Sequence, residues 1–292
     1  MFHLAMISYS REDKMMEVNL FDGNFAHTPS VCGFDSATAW RKPTKISYVR
    51  DKQSFDGVTI FTDDFIFSSQ VDKVQSKYKI AWCQESPVVK PYSHAAIHGV
   101  ESKFDFIFTH NKQKIAEKPE KYKFLPAACC WVKDYSFDIK KKTKLASHIF
   151  TGKNFSEGHA LRHNITQLLK NSSIDIFGEK QFNKTEVHQP YKFSIVVENC
   201  KSPGYFSEKI IDCLIQGTIP IYWGDPTISS YFNMKGIITF NNIDEIVNLK
   251  ISKKYYDENQ DAIKENIAIC ENKYLSSDDN LADLLKEVGV CS

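Results

Sequence analysis

The chain has 292 residues, 42% of them hydrophobic and 13% aromatic, which is enough to fill the cores of two modest domains or one large one and excludes a largely disordered polymer. Its 37 basic and 36 acidic residues leave a net charge of +1, so no global field draws in DNA, RNA or an acidic membrane. No window approaches the ~20 apolar residues of a membrane span.

The first thirteen residues, "MFHLAMISYSRED", hold too short an apolar stretch for a signal peptide, and a soluble, cytoplasmic protein is expected. Four short runs then read as buried strands, being aromatic and β-branched with polar edges: "GVTIFT" (57–62), "YKIAWCQE" (78–85), "FDFIFTH" (104–110) and "KYKFLPAA" (121–128). Their alternation with helical or loop segments predicts a mainly parallel sheet wrapped by helices. The basic stretch "DIKKKTKLAS" (138–147) interrupts the pattern and reads as a solvated linker at a domain boundary.

After it the pattern restarts: strand "SHIFTG" (147–152), helix "GHALRHNITQLLK" (158–170), strands "IDIFG" (174–178) and "FSIVVEN" (193–199), a helix from Ser207, strand "TIPIYWG" (218–224) and a helical region over about 255–288. Two successive α/β units predict a two-lobed enzyme with a cleft. We divide the chain into a first Rossmann-like lobe (1–141), a second Rossmann-like lobe (142–275) and a carboxy-terminal helix (276–292) expected to pack back on the first lobe. The cysteines, at 32, 83, 129, 130, 200, 213, 270 and 291, lie mostly inside apolar runs without a Cys-x-x-Cys pair, and read as buried free thiols. Sequons at Asn154, Asn164, Asn171 and Asn183 are coincidental in this reading.

The helix at Ser207 carries the clearest chemical signal. Ser207 suits an N-cap, Ile210, Ile211, Leu214 and Ile215 form one apolar stripe, and Gly217 can end the helix in a left-handed turn. Glu208 and Lys209 then occupy the first turn, where unpaired N–H groups favour an anion and a lysine opposes the helix dipole. A bound diphosphate would give that lysine a cause. The preceding loop "CKSPGY" (200–205) ends a strand where open α/β sheets bind ligands, and Gly204 permits close backbone approach.

The stretch "YKFSIVVENCKSPGYFSEKIIDCLIQGTIPIYWGDPTI" (191–228) resembles the donor-binding signature of the α-1,3-fucosyltransferase family, glycosyltransferase family ten. "WCQESP" (82–87), "FDFIFTHN" (104–111), "KFLPAA" (123–128) and "FTGKNFSEGHALRHNI" (150–165) resemble other family segments in the same order, so the resemblance spans about residues 78–240. It implies an α/β protein of the GT-B type, two Rossmann-like lobes with a cleft between them. It also implies an inverting transfer of L-fucose from GDP-L-fucose to a glycan hydroxyl, with no cofactor required and no metal.

Carried over residue by residue, Glu85 matches the family's general base, and its place at the end of an apolar strand independently favours a raised pKa. Arg162 and Lys209 match basic contacts to the diphosphate, and Glu208 a glutamate on the fucose hydroxyls. Asn199 and Tyr205 match donor contacts. Asn154 matches the family's Ser-Asn segment, from which the preceding Gly152 and Lys153 depart. Glu198 is open to donor contact or to a structural bond between strand and loop. Acceptor choice is assigned to loops of the first lobe, including "DGNFAHTPSVCGFDSATAW" (22–40), and a monomer is expected.

Two further readings stay open: the same fold and mechanism with another nucleotide-sugar donor, or a catalytically silent glycan-binding protein. The chain has no Asp-x-Asp motif of a metal-dependent transferase, and "TDDF" (62–65) reads as a strand-end loop. His94/His98 and His159/His163 have four-residue spacing but no evident third ligand, so they read as surface or packing residues. No Walker loop is present, which disfavours a kinase or NTPase.

Overall fold

The computed structural model of the protein describes residues 15–23, 30–32, 41–178 and 183–291. Eleven strands form among them: β1 (Met16–Phe21), β2 (Ile46–Arg50), β3 (Ser54–Thr62), β4 (Gln75–Cys83), β5 (Phe106–Thr109), β6 (Tyr122–Phe124), β7 (Lys144–Ile149), β8 (Asp175–Phe177), β9 (Tyr191–Val197), β10 (Ile219–Trp223) and β11 (Ile238–Thr239). They make two sheets, ordered β2-β1-β3-β4-β5-β6 and β11-β10-β9-β7-β8. Every pairing is parallel. In each sheet the order reverses once, between β1 and β3 and between β7 and β9, and such switch points are where open α/β sheets hold ligands. This is the two-lobed, GT-B type of architecture expected from the sequence.

Parallel strands need crossover helices, so both faces of each sheet are covered and the strands run almost continuously apolar. Alternate residues accordingly serve opposite cores. In the first lobe Ile60, Ile80 and Trp82 face one layer, and Phe61, Ala81 and Cys83 the other. In the second, Ile195, Val197, Ile221 and Trp223 oppose Val196 and Tyr222. β9 is buried at all seven positions, which fixes its end firmly at the cleft.

The helical region over 255–288 is three helices, Lys253–Glu258, Gln260–Lys273 and Ser277–Glu287. The second packs Ile263, Ile267 and Cys270 on the second lobe, whereas the third packs Leu281, Ala282, Leu284 and Leu285 against Val18, Leu20, Ile46 and Ile80 of the first. The chain thus crosses between lobes twice. Arg41 ties the crossings together, donating to the carbonyls of Cys130 (2.6 Å), Val132 (3.0 Å) and Leu275 (2.8 Å). Seven of the eight cysteines are buried. No helix among the described residues is long and apolar enough to cross a membrane.

Several details depart from the sequence reading. Strands β1 and β2 were not anticipated, because "MEVNLF" and "ISYVR" are short and mixed in polarity. β6 stops at Phe124 instead of running to 128, since Pro126 cannot donate to a ladder. "DIKKKTKLAS" is not a solvated linker: β7 begins at Lys144, and Lys142 is buried, its ammonium donating to Thr218 Oγ1 (2.6 Å) and to the carbonyls of Tyr191 (2.9 Å) and His188 (3.1 Å). Burial draws the Lys142 pKa down to about 7. "TDDF" is likewise no open loop, for Asp63 is buried and starts a 3₁₀ turn, Asp63–Phe67. Most of the 22–40 segment assigned to acceptor choice lies outside the described residues, as does the amino-terminal "MFHLAMISYSRED".

Candidate active site

A cavity of about 350 Å³ opens at the β7/β9 switch point. Ile149, Thr151 and Lys153 reach it from the end of β7, Val197 and Asn199 from the end of β9, and Glu85 and Val89 from the first lobe. Arg162, Tyr205, Glu208 and Lys209 complete its charged wall. Six of the seven residues singled out in the sequence therefore share one cavity. Asn154 does not line it, whereas its neighbours Lys153 and Phe155, exposed like it, lie at the cavity's rim.

Glu198 is the hinge of this construction. It follows β9 directly, is fully buried, and does not line the cavity. Its carboxylate accepts from Ser207 N (2.9 Å) and Ser207 Oγ (2.6 Å), which folds the 199–206 loop back and sets the Glu208–Leu214 helix at the strand's end. Of the two readings left open for Glu198, the geometry is that of the structural one. Ser207 also caps the helix as expected, and Gly217 takes a left-handed φ of +67° after it.

The same corner positions Arg162. Ser156 caps the Glu157–Leu169 helix, whose early residues pack directly on the chain after β9. Arg162 Nε and Nη2 donate to the Val197 carbonyl (3.0 and 2.8 Å), and Nη2 reaches Asn199 Oδ1 (3.0 Å). The guanidinium is therefore held at the cavity wall by the strand end, and Asn199 is held by the guanidinium. A Cβ on Gly158 would meet the Glu198 carbonyl oxygen at 1.7 Å, a backbone atom that cannot yield. Gly158→Ala is expected to destabilise the protein by about 1–3 kcal/mol through that overpacking. Urea unfolding checks it, and an unchanged midpoint would mean that the helix can tilt away without cost.

Lys209 has a reason beyond a ligand. Its ammonium lies 3.0 Å from Ser207 Oγ, 3.1 Å from Glu208 Oε1 and 3.6 Å from Glu198 Oε2. A lysine that opposes its own helix dipole is thus already answered by two carboxylates within the fold, a pairing that local sequence cannot display. Gly204 is a second correction of emphasis. Its φ is +86°, and a Cβ there would stand 2.2 Å from the His110 carbonyl oxygen, so its close approach serves a contact between lobes. Tyr205 follows, its ring centroid 5.0 Å from that of His110, which in turn lies 5.0 Å from His94.

The carboxylates of the cavity are driven apart in strength. Burial works against ionisation of Glu208, but Lys209 and then Lys184 outweigh it and hold its pKa down to about 2. Burial raises Glu85, Lys209 opposes the rise, and Glu208 adds to it. The backbone around Glu85 is fixed by His94, whose Nε2 lies 2.8 Å from the Glu85 carbonyl oxygen. One carboxylate is set to stay charged and the other to hold a proton more readily than a free glutamate, a division typical of sites with distinct roles.

Sequence reasoning missed a cluster deeper in the cavity. Lys184, from the short helix Lys184–His188, pairs with the buried Asp212 at 2.6 Å and approaches Glu208 at 3.8 Å. Asp212 also accepts from Trp131 N (2.6 Å), and the Lys184 ammonium sits 4.5 Å over the Trp131 ring. One signal was available, since Glu208 and Asp212 are four residues apart and share a helix face. Lys184 had none. Among the described residues no group of three or more His, Cys, Asp or Glu side chains forms a metal site. Of the histidine pair 159/163, His159 lines the cavity with its Nδ1 2.6 Å from Ser156 Oγ, and His163 Nε2 lies 3.0 Å from the Lys153 carbonyl oxygen.

Residues 139–268 match the sequence model of glycosyltransferase family 10 (fucosyltransferase) C-term. The α-(1,3)-fucosyltransferase FucT of Helicobacter pylori is 33% identical over 129 residues, covering 42% of this chain and 27% of that protein. α-(1,3)-Fucosyltransferase B of Drosophila melanogaster is 26% identical over 237 residues, covering 72% of this chain and 51% of that one. The chain thus spans about half or less of the length of these relatives. A crystal structure of an α1,3-fucosyltransferase superposes with a TM-score of 0.56 over 96% of this chain and 91% of the other, at 15% identity, a likeness of fold.

Proposed function

We propose that this chain, a member of glycosyltransferase family 10 through its residues 139–268, moves L-fucose from GDP-L-fucose to a hydroxyl of a glycan with inversion at the anomeric carbon. What carries the reading is the single cavity in which Glu85 of one lobe faces Arg162, Asn199, Tyr205, Glu208 and Lys209 of the other. Inversion is one in-line displacement, so it requires a base for the acceptor hydroxyl on one side of the sugar and charge stabilisation for the departing diphosphate on the other.

In this mechanism Glu85 accepts the proton of the acceptor hydroxyl as its oxygen attacks the anomeric carbon. The bond from that carbon to the β-phosphate oxygen breaks, and its electron pair leaves with GDP. Arg162 and Lys209 meet the charge that develops there, at a helix start that itself favours an anion. Glu208, held ionised by Lys209 and Lys184, holds fucose hydroxyls and favours positive charge growing at the anomeric carbon. Asn199 and Tyr205 orient the donor. Asn154, exposed and outside the cavity, contributes only through the loop it shares with Lys153 and Phe155. No metal or other cofactor enters this mechanism, because the cations of the cavity wall answer the leaving group.

Donor identity is tested by binding. GDP-L-fucose is expected to raise the melting temperature more than other GDP-sugars or UDP-sugars at equal concentration, and a tenfold difference in affinity corresponds to about 1.4 kcal/mol of added stability at saturation. A larger shift with another nucleotide sugar would reassign the donor while leaving the site in place. A donor and acceptor array read by mass spectrometry then identifies the glycan. Binding of glycan without transfer from any donor would overturn the enzymatic reading.

A further inference from the structure

Lys184 stands in the mechanism above only as a charge beside Glu208, yet it is built into the cavity more firmly than that requires. Its ammonium and that of Lys209 meet the same oxygen, Glu208 Oε1, at 3.8 and 3.1 Å. The two cations are held differently. Lys209 adjoins Glu208 in the chain, its other partners are Ser207 Oγ and Glu198, and it is the cation assigned to the diphosphate. Lys184 comes from a separate helix and takes its place from groups with no part in the proposed chemistry: Asp212 Oδ2 at 2.6 Å and the Trp131 ring, whose centroid is 4.5 Å from the ammonium. Gln216 Nε2 donates to the carbonyls of Asp212 (2.9 Å) and Lys184 (3.3 Å), and Trp131 N donates to Asp212 Oδ1 (2.6 Å). Trp131 is itself fixed, because Arg41 holds the carbonyls on both sides of it, Cys130 and Val132.

A counter-ion for Asp212 alone would not need to open on the cavity. Lys184, Asp212 and Trp131 all line it, and the Lys184 side chain is 25% exposed. A diphosphate brings negative charge to Lys209 and draws on the cation that Glu208 shares. Glu208 is 7% exposed, so water cannot make up the loss, and a buried carboxylate left short of counter-charge either moves or takes up a proton. Either change would spoil an acceptor aimed at sugar hydroxyls. A second cation, anchored on groups that do not meet the diphosphate, prevents it.

We propose that Lys184 is a positioning residue for the donor sugar: anchored by Asp212 and Trp131, it keeps Glu208 charged and in place while Lys209 serves the diphosphate. The inference rests on Glu208 being the group that holds the sugar hydroxyls. Against burial, Lys209 and then Lys184 hold Glu208 down to about 2, in the order of their distances from Oε1. Lys184 should therefore matter when the sugar is present and not for GDP alone.

Calorimetric titration of the full chain with GDP and with GDP-L-fucose is the test. In Lys184→Met, affinity for GDP-L-fucose is expected to fall about tenfold, within the range by which members of one ion-pair network couple, while GDP affinity holds. In a Glu208→Gln background the same substitution should cost nothing further, because the group through which Lys184 acts is gone. Lys184→Met leaves Asp212 buried without its cation, so it is paired with Lys184→Met/Asp212→Asn, which removes both charges and keeps an oxygen for the Trp131 amide. That double variant should regain stability in urea unfolding without regaining affinity for GDP-L-fucose. Equal losses for GDP and GDP-L-fucose, a further loss in the Glu208→Gln background, or recovery of sugar affinity in the double variant would overturn the role of Lys184 while leaving Glu208 on the sugar. If Glu208→Gln binds GDP-L-fucose as the wild type does, Glu208 does not hold the sugar, and Lys184 loses its role with it.

Discussion

Glu85→Gln is expected to lower the transfer rate by about 10²–10⁴-fold, the range that a positioned general base contributes. GDP affinity should be unchanged in a titration calorimeter, because Glu85 comes from the first lobe while the helix start and its cations belong to the second. The substitution keeps the shape of the side chain and the backbone bonds to Asp63 and His94, so loss of activity reports on chemistry and not on folding. The wild-type rate should fall as pH drops through the raised pKa of Glu85, since only its carboxylate can accept the hydroxyl proton, and that limb should be absent from the residual activity of the variant. Glu208 cannot take over. Held down to about 2, it is too weak a base to drive proton transfer near neutrality. Transfer at the wild-type rate would sink the role assigned to Glu85.

Lys209→Ala tests the other side of the sugar and is expected to act twice. Loss of a cation at the leaving group should cost about 10²–10³-fold in rate, by analogy with removal of a single donor to a developing anion, and should weaken GDP binding as well. The second effect is on the fold. Glu208 and the buried Glu198 lose their shared counter-charge, and the loss of a charge-assisted bond should lower stability by about 1.5–3 kcal/mol. Isothermal calorimetry with GDP and urea unfolding separate the two. If the variant is less stable but binds GDP like the wild type, Lys209 is only an internal counter-ion, and contact with the diphosphate must come from Arg162 and the helix start.

The helix from Ser207 was legible because its signals are local. A cap, an apolar stripe and a glycine at the end all act within one or two turns, and each appears where the sequence put it. The strands that pass through both cores were legible for the same reason, as their apolar runs are continuous. β1 and β2, near one edge of the first sheet, lack such runs and were missed. Lys142 shows the limit from the other side. In "DIKKKTK" it cannot be told from its solvated neighbours, because its burial depends on carbonyls of His188 and Tyr191 that lie nearly fifty residues away.

The sequence by itself determined the residue types of the site and their order, since a strand end followed by a capped helix start is written in a few adjacent positions. It also carried the resemblance that gathered Glu85, Arg162, Asn199, Tyr205, Glu208 and Lys209 into one hypothesis. Tertiary structure alone decided which of these share a cavity, that Asn154 stays outside it, and that Lys184, Asp212 and Asp63 stand beside them. It also decided how the charges act. Glu208 and Glu85 are the same residue type, and only burial and the nearness of Lys209 and Lys184 send one toward permanent charge and the other toward proton exchange. Those fields depend on burial, on Lys184 being brought to Glu208 within the second lobe and on Lys209 and Glu208 reaching Glu85 across the cleft, all of which the fold sets.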